Sequence, residues 1–196
     1  MFTGNRGCLV EDDGRLASHH RGRLWITCVT EFRGQRQPLA APRQWTPIFF
    51  LDDAVALAAG HRPCGLCRPV PYLLYKEAVT RAEHLQRLLG AEDLNRRLAR
   101  ERLGPGRGLD RAGDRLLWRA DIDGLPSGTV IVDEDRRPRL VIEDRLLAFA
   151  FDGWRHPEGR PESQVVEVLT PPTSVAALAN GYVAELHPSA KTRTTG

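Results

Sequence analysis

The sequence predicts an α+β fold, and three observations predict it. Two short runs rich in β-branched and aromatic residues lie towards the N-terminus. A long middle stretch repeats apolar residues at three- and four-residue steps, and four more strand-like runs follow it. Strands and helices therefore come in blocks, as in α+β architectures, and do not alternate as in parallel α/β sheets.

In chain order, "LWITCVTEF" (24–32) and "WTPIFFL" (45–51) read as strands, with "RGQRQPLAAPRQ" between them as a loop. "DDAVALAAG" reads as a short helix, capped by Asp52 or Asp53 and stopped at Gly60. From 71 to 103 Tyr72, Tyr75, Val79, Ala82, Leu85 and Leu89 mark one helical face. Pro71 suits a first turn, and Gly90 divides the stretch into two helices. "GPGRG" at 104–108 ends the helical region. Beyond it "GTVIVD", "RLVIED", "RLLAFAF" and "QVVEVL" predict a small antiparallel sheet or partly closed barrel, with "DGWRHPEGRPES" as a turn. "PTSVAALANG" is a last helix. The expected organisation is a zinc-stabilised unit over 1–70, a helical segment over 71–103, a β-rich unit over 104–190 and a disordered tail over 191–196.

With 196 residues, the chain can bury a substantial core without covalent staples. Neither a signal-peptide core nor a membrane-length apolar run is present, so the expectation is a cytoplasmic protein with no membrane partner. In a reducing compartment, closely spaced cysteines bind metal or cycle redox states more often than they form structural disulfides. The net charge is only +3, yet Lys76 and Lys191 are the only lysines among 28 basic residues. A GC-rich coding bias accounts for such arginine excess; a phosphate- or carboxylate-binding surface is the functional alternative.

Among four cysteines, Cys64 and Cys67 share the turn "GHRPCGLCRP". A CxxC turn presents two sulfurs to a soft divalent ion, and a structural zinc generally takes four Cys or His ligands. A redox CxxC opens a helix after a strand; this one follows a helix and is flanked by Pro63 and Pro69. Metal is the favoured reading.

The segment "FFLDDAVALAAGHRPCGLCRP" (49–69) resembles the second half of the metal-binding domain of the Ada alkylation-repair family. That half has a strand, an alanine-rich helix ending in glycine, then "RPC", two residues and "CRP". The segment is also similar to zinc knuckles found beside bacterial nuclease domains. The resemblance covers about a tenth of the chain and implies Zn2+ on Cys64 and Cys67. In the family two further cysteines complete the site, and one accepts a methyl group from DNA phosphotriesters. "FTGNRGC" is similar to the family's lead-in to that pair, but residue 12 is Asp where its partner should stand. The departure counts against the methyl-acceptor role and leaves the zinc expectation standing. Cys28, in the strand "WITC", is the expected third ligand and Cys8 the fourth, with His61 as the alternative or as a hydrogen-bonding neighbour. The whole chain also resembles a group of bacterial proteins sharing "GNRG", "WITC", "GHRPC" and "LTPP…HPSA", a likeness that carries no function with it.

Arg6, Arg62 and Arg68 surround the knuckle and are the expected ligands for DNA or RNA phosphates. The arginines between 96 and 119 are interleaved with acids and read as a solvated face, with a phosphate-tracking surface as the alternative. No phosphate loop, nucleophile elbow, zincin motif or dinucleotide fingerprint occurs, so no catalytic residue is assigned. The leading expectation is a zinc-binding protein that contacts nucleic acid. The alternatives are a small metalloenzyme with an open three-cysteine site and a protein-interaction module.

Overall fold

The computed structural model describes residues 1–191 and has the expected α+β architecture. The N-terminal part contributes β1 (Phe2–Asn5), β2 (Ile26–Cys28), β3 (Pro47–Phe50), α1 (Asp53–Ala58) and β4 (Arg62–Pro63). Two helices follow, α2 (Pro69–Ala82) and α3 (Ala91–Arg102). The C-terminal part holds β5 (Trp118–Asp121), β6 (Val130–Val132), β7 (Pro138–Ile142), β8 (Arg145–Ala150), β9 (Gly153–Gly159), β10 (Val165–Val168) and α4 (Pro172–Ala179).

Four strands form a mixed sheet in the order β3-β1-β2-β4, antiparallel except for the β2/β4 pair. β1 was read in the sequence only as a lead-in to Cys8, yet it sits inside the sheet, pairing Thr3 with both Cys28 and Phe49. Gly4 permits this: a Cβ there would lie 2.4 Å from the Phe50 ring. The C-terminal strands form an open antiparallel sheet, β5-β10-β6-β7-β8-β9, and not a closed barrel. The stretch read as a turn around Trp154 is β9. It lies at the sheet edge, and Pro157 falls where the β8/β9 register shifts, a position that tolerates proline.

Local signals set the helix ends. Asp52 Oδ1 accepts from Val55 N at 3.0 Å and caps α1, and Gly60 follows it at φ +80°. α2 starts at Pro69, two residues before the expected Pro71, because Arg68 N already closes the cysteine turn onto Cys64 O at 3.1 Å. It ends at Ala82, with His84 at φ +52°, so Leu85 is exposed, not part of a core face. α3 begins after Gly90 as expected.

Hydrophobic clusters run across the segment boundaries expected from sequence. Leu51, Ala54 and Ala58 pack with Val130, Leu140 and Trp154 of the second sheet. Leu57 joins Tyr75 and Val79 of α2, Leu94 of α3 and Leu178 of α4. Each fully buried Leu or Val contributes roughly 1.5–3 kcal/mol, so α1 is held chiefly by this two-sided packing. A third cluster, including Ile122, Ile131 and Val168, links the second sheet to Val175 of α4. Among the described residues, no helix is long and apolar enough to cross a membrane. Of the expected disordered tail, positions 192–196 lie outside the described residues.

Candidate metal centre

Strand register brings the cysteines together. β4 runs parallel to β2 with Ile26 opposite Arg62 and Thr27 opposite Pro63, so the next residue of each strand is a cysteine. Cys64 N donates to Thr27 O at 3.0 Å and locks the step. The turn then folds back, Leu66 N donating to Cys64 Sγ at 3.4 Å, and returns Cys67 to the same place. The Sγ atoms of Cys28, Cys64 and Cys67 all lie within 4.8 Å of one another. Sulfurs bound at about 2.3 Å around a tetrahedral zinc stand roughly 3.8 Å apart, so three thiolates here suit a metal ion with little adjustment.

The three thiols share protons unequally. Hydrogen bonds from Cys28 and Cys67, with amides of the turn behind them, hold Cys64 well below the usual thiol range. Cys28 is pushed up, first by the neighbouring sulfurs of Cys64 and Cys67 and then by burial.

Neither expected fourth ligand joins the cluster. Cys8 stands outside it, and its thiol donates to Val10 O at 3.4 Å. β1 carries the chain past the site and leaves Cys8 beyond the strand end, beside Arg21 and Asp12. His61 is fully buried between the rings of Trp25 and Phe50, with centroids 5.2 and 4.7 Å away. Its Nε2 accepts from Arg6 Nε at 3.2 Å. Burial, followed by the charges of Arg6, Arg102 and Arg115, holds its pKa far below the ordinary histidine value. A groove of about 580 Å³ borders all three clustered cysteines, and its remaining lining includes Gln35, Gln44 and Trp45 but no His, Asp or Glu.

The structure withdraws Arg62 and Arg68 from a phosphate-facing surface, since each is only 4% exposed. Arg62 donates to Asn95 Oδ1 at 3.0 Å and lies over the Tyr72 ring, fastening α3 to α2. Arg68 is paired with Asp53. Arg6 is half-buried over the Trp25 ring, 4.0 Å from its centroid. Within 96–119, where a solvated face is expected, Arg102 and Arg111 are buried. The alternation of acids and arginines there gives no hint of it.

Compared with protein-family models, curated proteins and solved structures, the chain has no match. Three cysteines stand close enough to bind one metal ion.

Proposed function

We propose that the chain is a zinc-binding protein in which Cys28, Cys64 and Cys67 hold the ion as a structural fastening. The supporting observation is the convergence of three sulfurs, from a strand and a distant turn, within 4.8 Å. Soft thiolates favour zinc among the common cellular divalent ions. A metal there would tie β2 to the turn that launches α2. In zinc-finger peptides such binding is worth about 10–16 kcal/mol, comparable to the stability of a whole domain.

The groove beside the cysteines offers no carboxylate or imidazole to take a proton from a bound water. Hydrolytic chemistry needs such a base within hydrogen-bond reach, which favours a structural role over an enzyme with an open site. In this proposal nucleic-acid contact passes from Arg62 and Arg68 to the exposed Arg21, Arg23 and Arg33 that flank Cys28.

Metal analysis by plasma mass spectrometry tests the centre. Protein purified without added metal should carry about one zinc per chain. Cys28→Ser, Cys64→Ser and Cys67→Ser should lose it, while Cys8→Ser keeps it. Zinc retained in all three clustered variants, or absent from the wild type, would overturn the assignment.

A further inference from the structure

A cavity of about 280 Å³ opens between the two sheets, away from the cysteines. Trp25 and Ala59 form one side, and Val130, Phe149, Trp154 and Leu169 form the other. Three polar side chains reach it: Arg6, His19 and Arg115. No carboxylate lines it.

Among the described residues, the arginines around this cavity form no ion pair with a carboxylate. Arg6 donates to the imidazoles of His61 and His19. Arg115 donates to the carbonyls of Ala58 and Leu169. Arg102 lies over the Trp25 ring at 3.7 Å and donates to the carbonyls of Gly60 and Arg23. All of these acceptors are neutral. Two nearby acids are committed elsewhere, Asp52 to Val55 N, Trp154 Nε1 and His187 N, and Asp53 to Arg68 and Tyr182. Buried charges are ordinarily paired, because desolvation costs several kcal/mol per ion. Here burial and then mutual repulsion lower Arg6 to about 10 and Arg102 to about 9, while burial alone lowers Arg115 to about 10. All three are still cations at neutral pH; Arg6 and Arg115 face the cavity, where apolar walls strengthen their field, and Arg102 stands behind the Trp25 ring.

We propose that this cavity binds a small organic oxyanion, a phosphate monoester or carboxylate on a flat or apolar body, with Arg6 and Arg115 holding the head group. Guanidinium forks match the paired oxygens of both head groups. The indoles and Phe149 supply a wall for the body. The volume lies just below the roughly 300–1,000 Å³ usual for ligand pockets, which suits a small molecule and not a polymer. The site does not depend on the zinc reading and shares no lining residue with the thiol groove.

The test titrates full-length, metal-replete protein with phenyl phosphate, benzoate, phenol and inorganic phosphate at low ionic strength. Trp25 and Trp154 line the cavity, so indole fluorescence reports occupancy, and melting temperature gives a second readout. Phenyl phosphate or benzoate should bind at least about tenfold more tightly than phenol and inorganic phosphate, a difference of ~1.4 kcal/mol. The stronger of the two identifies the head group. Val55→Phe fills the cavity without altering charge, and Arg6→Gln removes one guanidinium; each should weaken binding at least about tenfold while melting cooperatively. If Arg6→Gln fails to fold, Val55→Phe and the wild-type ligand series still decide. Equal binding of phenol, no response to either anion, or undiminished binding in Val55→Phe would overturn the proposal. So would binding of a DNA or RNA oligonucleotide with neither small anion responding.

Discussion

Arg68 and Asp53 form a two-point ion pair in the interior, Nη1 to Oδ1 at 2.6 Å and Nη2 to Oδ2 at 2.9 Å, with side chains 4 and 3% exposed. Arg68 directly follows Cys67, and Asp53 is the first residue of α1. The same carboxylate accepts from Tyr182 Oη and Glu185 N, each at 3.1 Å. One side chain thereby joins the cysteine turn, α1 and the C-terminal segment.

Removing that carboxylate should be severe. Asp53→Ala strands a buried guanidinium, and losing one partner of a buried pair costs about 3–5 kcal/mol. Guanidinium chloride denaturation, monitored by tryptophan fluorescence, measures it. A loss below about 1 kcal/mol would mean that water or Glu185 replaces the partner.

Gly60 should tolerate no side chain. Its φ of +80° is strained for any L-residue with a Cβ, and an added Cβ would lie 2.6 Å from Arg102 Cδ. Gly60→Ala should therefore cost more than the roughly 1 kcal/mol of backbone strain alone, because Arg102 must also give up its bond to Gly60 O. If the variant melts like the wild type, Arg102 does not lock this turn.

Acid should destabilise the fold through its histidines. His61 is held far below its ordinary value of 6.5, first by burial and then by neighbouring arginine charges. His19 is lowered to about 4, again by burial first and then by Arg6. The unfolded chain therefore binds more protons than the folded one once the pH drops below 6.5. The stability contributed by the neutral rings is complete above 6.5 and is lost as pH falls towards 4. For His61 the slope is about 1.4 kcal/mol per pH unit below that point. Denaturation at several pH values should show it, and His61→Phe should flatten the curve. An unchanged slope in that variant would assign the acid sensitivity to other groups.

Features written within a few residues were legible in the sequence. Asp52 caps α1, Gly60 stops it, Gly90 separates the two long helices, and Cys64 and Cys67 meet in one turn. Each depends on a local dihedral or a hydrogen bond to a near neighbour, so residue type and spacing suffice. The sequence also places Cys28 on a strand, but its meeting with the turn depends on the β2/β4 register.

Other assignments failed where distant partners decide. β1 reads as an irregular lead-in until β2 and β3 pair with it from both sides. Arg62 and Arg68 look like surface cations until Asn95 and Asp53 close over them. Arg102 reaches the carbonyls of Gly60 and Arg23 from the last turn of α3.

By itself the sequence determined the α+β class, the short capped helix and the paired cysteines of the turn. Only the tertiary structure decided which thiols meet, which arginines are interior and where cations gather without acids. The physical reason is that helix ends and turns are settled by nearby backbone atoms, whereas burial and uncompensated charge depend on which distant surfaces pack together.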